Sequence, residues 1–327
     1  MAMMSTSNPA DLITQFQTLY SDKLLPKTEQ LMVYDQFATK TSFPKNRGAK
    51  TMRMHRKKPG SASNVATATE GVAPSTYREI DLEYVEATLV QYVEALKFSD
   101  VLSMTELFNS LIMSRESLAE DMSLHADQIV RNTIVAGVTT NKIYAGGATT
   151  FNALVALDAS VAPLTIQDLL RAFTALQIQR APKKNGEYFA IVPPQIAYDL
   201  MLDTKFFVPV GTYQDKSNIV KGEVGKWFNV RVVISTLPFR EANTNGTEGT
   251  YASTGPIYTT VVVGADAYGT PIMGGNSPYT PHIYVNDKAE KVDPANQFTI
   301  VAAKSFWAAL MLQELWAVTI RSKTTYA

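Results

Sequence analysis

Lys40-Thr-Ser-Phe-Pro-Lys-Asn-Arg-Gly-Ala-Lys-Thr-Met-Arg-Met-His-Arg-Lys-Lys-Pro-Gly60 holds eight ionised side chains, and all eight are basic. A tip of small residues follows, Pro59-Gly-Ser-Ala-Ser-Asn-Val-Ala-Thr-Ala-Thr69. The chain then returns through an acidic, β-prone stretch, with Glu79, Asp81, Glu83, Glu86 and Glu94 set among Tyr84, Val85, Leu89, Val90, Tyr92 and Val93. A positive outgoing limb, a small-residue tip and a negative returning limb read as one long two-stranded excursion. Two strands alone are marginal in water. The excursion therefore needs a partner surface, and the rest of the chain must be read with that need in mind.

Upstream, residues 8–36 read as an arm with some helix in it. Asn8 can cap a first turn, Pro9 sits where a helix tolerates proline, and Leu12, Ile13, Phe16, Leu19 and Tyr20 fall on one stripe. The arm is too short for a core of its own, so that stripe must dock elsewhere on this subunit or on a neighbour. Downstream, 103–136 predicts one long helix. Ser103 and Glu106 have capping-box spacing, apolar residues recur from Leu107 to Ile134 near the helical period, and Gly137 ends it as a C-terminal glycine does. At 1.5 Å per residue it would run roughly 50 Å, well above the usual helix, which suits a strut across a flattened subunit.

Residues 138–163 are loop-rich. A compact part then begins, with a helix capped by Thr165 and running to about Arg180, a turn at Asn185-Gly186, and a strand at Tyr188-Phe-Ala-Ile-Val192. Pro193-Pro194 opens a helix through Leu202, and strands follow at Val230–Ser235 and Ile257–Val263. This order predicts an α+β module. The tail from Gln297 to Lys323 is again apolar and strand-prone, with Trp307 and Trp316 in it.

The chain has 327 residues, 30 basic and 30 acidic. That length exceeds the ~100–200 residues usual for one domain. A balanced charge offers nothing general to nucleic acid or to an anionic membrane. There is no cysteine, so disulfides, thiolate metal sites and a thiol nucleophile are out. The N-terminus lacks a charged region followed by an apolar core, and no apolar run is long enough to cross a membrane, so a soluble protein made in a cytoplasm is expected.

Catalytic patterns are nearly absent. His55, His125 and His282 are far apart in unlike contexts, with no His-Glu-x-x-His pair. No Gly-x-Ser-x-Gly elbow occurs. Gly222-Glu-Val-Gly-Lys226 lacks the spacer and hydroxyl of a phosphate loop and precedes a strand. The acidic residues between 79 and 86 have the spacing of one charged strand face rather than of a tuned catalytic pair. The basic run could grip phosphates, but only Phe43 lies near it to stack on a base. An acidic limb on the same chain favours pairing within the excursion or between subunits. Arg53, Arg56, Lys57 and Lys58 against Glu79, Asp81, Glu83 and Glu86 are the candidate residues for an assembly interface whose charges fix register more than they add affinity. No catalytic, cofactor or metal site is expected.

Arm, charged hairpin, long helix, α+β module and β-rich return, in this order, resemble the tailed-phage major capsid proteins of the Hong Kong 97-like fold. Three stretches sharpen the likeness to a podophage-type group. Tyr34-Asp-Gln-Phe-Ala38 with Phe43-Pro-Lys-Asn-Arg-Gly48 and Thr51-Met-Arg-Met54 is similar to that group's opening. Gly222 to Ser235 is similar to its axial-domain strand, and Ala303-Lys-Ser-Phe-Trp-Ala-Ala-Leu310 through Ile320-Arg321 to its peripheral strands.

The resemblance implies an N-terminal arm at 1–45, an extended loop at 46–98, a spine helix with the first part of a peripheral domain at 99–160, an axial domain at 161–288 and a peripheral return at 289–327. It implies a non-enzymatic head protein of the virion that assembles through hexamers and pentamers around double-stranded DNA in a bacterial host, with the loop over one neighbour and the arm beneath another. Some relatives begin with a cleaved scaffolding segment; this sequence begins at Met1 without one, so a separate scaffolding protein is expected, beside a portal and decoration proteins. Some relatives join Lys to Asn between subunits. Lys50, Lys57 and Lys58 lie in the loop, but any basic loop would supply lysines, so that chemistry is not carried over. The competing classes are an encapsulin-like shell of the same fold and a metal-independent α+β enzyme.

Overall fold

The computed structural model describes residues 33–43, 50–57, 82–105, 110–203, 223–227, 229–241, 256–273, 281–286 and 297–326, with single positions between 65 and 80. After one 3-10 turn at Tyr34–Phe37 come β1 (Thr39–Phe43), β2 (Thr51–Lys57), β3 (Leu82–Thr88), β4 (Val90–Ser99), α1 (Asp100–Thr105) and α2 (Ser110–Gly137). Then follow β5 (Lys142–Tyr144), α3 (Phe151–Ala156), α4 (Ile166–Ile178), β6 (Tyr188–Val192), α5 (Pro194–Leu202), β7 (Glu223–Trp227), β8 (Val230–Ile234) and β9 (Phe239–Arg240). The last elements are β10 (Tyr258–Val263), β11 (Tyr268–Met273), β12 (His282–Asn286), β13 (Phe298–Trp307), β14 (Leu310–Met311) and β15 (Ala317–Ser322).

Two apolar patterns make two kinds of sheet. Tyr188–Val192, Tyr258–Val263 and Ala317–Ser322 are buried along their whole length, the first an unbroken apolar run and the others with buried Thr259, Thr260, Thr319, Arg321 and Ser322 among their apolar residues. They sit in the middle of a sheet ordered β5-β15-β10-β6-β8-β7, with β9 on β10. One face, with Tyr188, Ala190, Val232 and Val262, packs on Leu169, Leu176, Ile196 and Leu200 of α4 and α5. The other face, with Phe189, Ile191, Val261 and Val263, packs on Ala126, Val130 and Ile134 of α2. A strand covered on both sides has no solvent face, so its residues are buried without alternation.

β13 alternates instead, with Val301, Ala303, Ser305 and Trp307 buried and the residues between them partly exposed. It belongs to a second sheet, in which β4 pairs one side of β13 over its full length while β12 and β11 share the other. There Val301 and Ala303, with Tyr92, Leu96 and Phe98, meet Leu118 and Met122 of α2. One helix of 28 residues, about 42 Å long, thus covers both sheets.

The long helix starts differently from expectation. α2 is described from Ser110; Ser103 lies inside α1, whose cap is Ser99, its hydroxyl accepting the Leu102 N–H at 3.2 Å. Glu106 lies outside the described residues, as does the arm's stripe from Leu12 to Tyr20. Gly137 is the last helical residue for reasons of contact rather than handedness: a Cβ there would stand 2.9 Å from the Met311 Cβ. The stretch read as loop, 138–163, contains β5 and α3, the latter capped by the Thr150 hydroxyl at 3.2 Å from the Ala153 N–H.

Thr165 caps α4 as expected, its N–H and hydroxyl both donating to the Asp168 carboxylate. Asn185 and Gly186 turn with φ of 56° and 82°. The segments 161–288 and 289–327 each serve both sheets, because β11 and β12 join the alternating sheet while β15 returns to the buried one. The loop at 46–98 likewise divides. Only β2 and β3 form the free hairpin, and β4 is a strand of the body.

Candidate assembly surfaces

Among the described residues the hairpin pairs β2 with β3 alone, and its register sets Arg53 opposite Glu86 and Arg56 opposite Glu83. Successive side chains of a strand alternate faces. Arg53 therefore lies on the outward face, where Nε is 2.5 Å from Glu86 Oε1 and the guanidinium covers the Tyr84 ring at 4.7 Å. Its bond to Glu86 holds Arg53 still more firmly protonated than usual. Arg56 lies on the face toward the body, with Nε and Nη2 at 2.9 and 2.7 Å from Glu83 Oε2. Its Nη1 donates to the Leu312 carbonyl at 2.5 Å and to the Gln313 side-chain carbonyl. One ion pair per face fixes the register, since a slip of one residue breaks both.

Four of the eight candidate residues are thus brought together, and within the chain. Glu79 is exposed ahead of β3. Lys57 ends β2 opposite Leu82, and its side chain, with Lys58 and Asp81, lies outside the described residues. Beneath the hairpin, Met54 and Val85 face Ile178, Leu312, Leu315 and Trp316 across a cleft of about 640 Å³. The body contact of Arg56 was not foreseen, because its partners lie more than 250 residues further on.

A second surface fixes the base of the arm. Asp127 of α2 is fully buried, and its two carboxylate oxygens accept the N–H groups of Val33 and Asp35 at 3.2 and 3.1 Å. Burial, outweighing these bonds and reinforced by the Asp35 charge, pushes the Asp127 carboxyl up to about 6. Asp35 accepts from Thr270 at 3.0 Å and pairs with Lys40, also at 3.0 Å, while the Tyr268 hydroxyl donates to the Tyr34 carbonyl. The clue in the sequence was an acid on the apolar stripe of a long helix.

The stretch set aside as a false phosphate loop is strand β7, and Lys226 is bonded to Glu187, which also pairs with Arg231 at 2.8 Å. Burial would raise Glu187, yet these two cations hold it below the usual carboxylate range. His55, His125 and His282 lie on β2, α2 and β12. Among the described residues no group of three potential metal ligands comes together.

A hairpin and an arm base are thus pinned to a two-sheet body that shares one long helix. The family described as phage capsid protein matches residues 83–302, and the chain belongs to that family. It is a structural protein with the Hong Kong 97-like α+β fold, a major capsid protein of the icosahedral shell of a tailed phage. Solved relatives share the fold over almost the whole chain at low identity. The capsid of Ralstonia phage GP4 aligns with a TM-score of 0.71 at 12% identity, over 99% of this chain and 98% of that one. The cyanophage Pam1 capsid gives 0.67 at 12% identity over 100% of both chains. The cyanophage P-SCSP1u capsid gives 0.66 at 15% identity over 94% and 93%. Comparison with curated protein sequences gives no match.

Proposed function

We propose that this capsid protein closes into pentamers and hexamers, and these into a shell that encloses double-stranded DNA without reading its sequence. A separate scaffolding protein, a portal and decoration proteins act with it, and the shell is built in the cytoplasm of the bacterial host. The observation that carries this is the hairpin. Among the described residues it has two strands, and its outward side leaves Tyr84 55% and Leu82 59% exposed. Such a ribbon is marginal by itself and gains from lying on a neighbour. Each contact can be modest, because contacts repeated round a closed lattice act at high effective concentration.

The charges near the tip, Lys57, Lys58, Glu79 and Asp81, are assigned to that neighbour contact, together with the outward pair Arg53–Glu86. Reversing Arg53, Arg56, Lys57 and Lys58 to Glu is expected to abolish shells, seen by negative-stain microscopy of the protein expressed alone and with its neighbouring phage genes, and to leave the subunit soluble. Adding Glu83→Arg and Glu86→Arg restores both pairs inside the hairpin. Arg56→Glu also loses the bonds to Leu312 and Gln313, so the deciding variant keeps Arg56 and Glu83 and carries Arg53→Glu, Lys57→Glu, Lys58→Glu and Glu86→Arg. Absent shells from it support charges between subunits, and normal shells from the four-fold variant sink the interface reading. A wild-type protein that stays a monomer under both expression conditions overturns the shell reading itself.

A further inference from the structure

Among the described residues β4 pairs on one side only, with β13. Its register runs from Ser99 opposite Phe298 to Val90 opposite Trp307, and the Asp100 N–H continues it by donating to the Gln297 carbonyl at 3.0 Å. Backbone groups of an antiparallel pair alternate sides along a strand. The even-numbered residues of β4 therefore bond to β13. The N–H and C=O groups of Gln91, Val93, Ala95, Lys97 and Ser99 point the other way.

Natural sheets guard a long open edge with proline, a bulge, or charges held over it. β4 has ten residues and no proline or glycine. It carries two charges, and neither stands over the edge. The Lys97 Nζ lies 3.1 Å from the centre of the Phe298 ring on β13, so it leans inward across the sheet. Glu94 is on the face toward α2, between Tyr92 and Leu96, which pack on Leu118 and Met122. The other face carries Gln91, Val93, Ala95, Lys97 and Ser99; at its middle Val93, 55% exposed, lies opposite Lys304, and Ala95 lies opposite Ala302.

We propose that the open edge of β4 receives an extended strand from a second copy of this chain, which lengthens the alternating sheet across the subunit boundary. This rests on the shell reading, in which copies of the chain are what surround it. The chain also has strands to give, since among the described residues β2 and β12 each pair on one side only. Main-chain bonds supply the attraction, and alternate side chains such as Val93 and Ala95 set the register, as in other cases of strand addition.

Hydrogen exchange on the wild-type protein tests this without any variant. The amides of Gln91, Val93, Ala95, Lys97 and Ser99 are expected to exchange fast in the free subunit and at least 100-fold slower in shells of this chain alone, whereas those of Tyr92, Leu96 and Phe98 are protected in both. Fast exchange of the odd-numbered amides in finished shells overturns the proposal and leaves the shell reading standing. Protection that appears only when another phage protein is added overturns the second copy as donor.

Ala95→Pro removes one outward N–H and no bond to β13, a change that edge strands tolerate. It is expected to cut shell yield at least tenfold, with Ala95→Thr assembling normally. Equal yields from Pro, Thr and wild type also overturn the proposal.

Discussion

Arg56→Met keeps the aliphatic stem of the side chain and removes every bond of the guanidinium. The pair with Glu83 lies inside the hairpin, and with the two side chains 39% and 36% exposed it contributes only about 0.5 kcal/mol after solvent screening. The two bonds to Leu312 and Gln313 hold the hairpin to the body. Taken at the low end for a charged donor because water reaches them, they contribute about 1–1.5 kcal/mol each. Losing both favours detachment by about 2–3 kcal/mol, a factor of roughly 30 to 150. A detached two-stranded ribbon does not keep its ladder. Amides of β2 and β3 in the unassembled subunit should therefore exchange faster by that factor, while those of β6, β10 and β15 keep their wild-type rates. The melting temperature should barely move, because among the described residues the hairpin joins the packed clusters only where Met52 meets Leu89 and Ala308. Unchanged exchange in β2 and β3 would refute the latch; uniform acceleration through the buried sheet would show that Arg56 stabilises the whole fold instead.

The buried Asp127 makes stability depend on pH in an unusual direction. Its folded-state pKa, about 6, lies above the ordinary value of 3.8, so the folded chain holds the extra proton between these pH values and this contribution to stability grows as pH falls through 6. Thermal melts from pH 7 to 4 should show wild type gaining on Asp127→Asn by up to an amount on the order of 3 kcal/mol; parallel curves would dismiss the effect. Glu187 and Glu314, both held low, lose their contribution only at more acid pH, and equally in both proteins. Gly146 has φ of +67°, and a Cβ there would stand 2.9 Å from Leu157 Cδ1 and 3.0 Å from the Val161 carbonyl. Gly147, at +74°, has open space around it. Gly146→Ala should cost about 2–4 kcal/mol in denaturant unfolding and Gly147→Ala about 1–2, the strain alone; equal costs would show that the close approach to Leu157 does not matter.

What the sequence made legible follows from what is local. β6 and α5 have the bounds their residues predict, because five consecutive buried apolar residues and a proline-opened helix need no distant information. The cross-strand pairs Arg53–Glu86 and Arg56–Glu83 were prepared by opposite limbs of one excursion. Strand β5 and helix α3 were not legible. The first has three residues and the second six, and β5 exists only because β15, some 175 residues on, lies parallel to it. The same holds for the arm base, where Asp127 pairs with backbone groups more than 90 residues earlier. Helix periodicity reveals that such an acid is buried but not what it meets. The assignment of β4 to the loop failed for a related reason. Its alternation is the same whether its partner is β2 or the distant β13.

The path of the chain between the two sheets has a mechanical consequence. It enters the alternating sheet with β1 and β4, leaves for β5 through β10, comes back for β11 to β14, and ends with β15 inserted between β5 and β10. The two modules are laced together, so no single cut in the chain frees one of them intact. A pull on the C-terminus loads β15 along its length, with all its ladder bonds resisting at once rather than opening one by one. A shell of such tiles resists shear as one piece, and α2, packed on both sheets, carries a push on either module straight into the other.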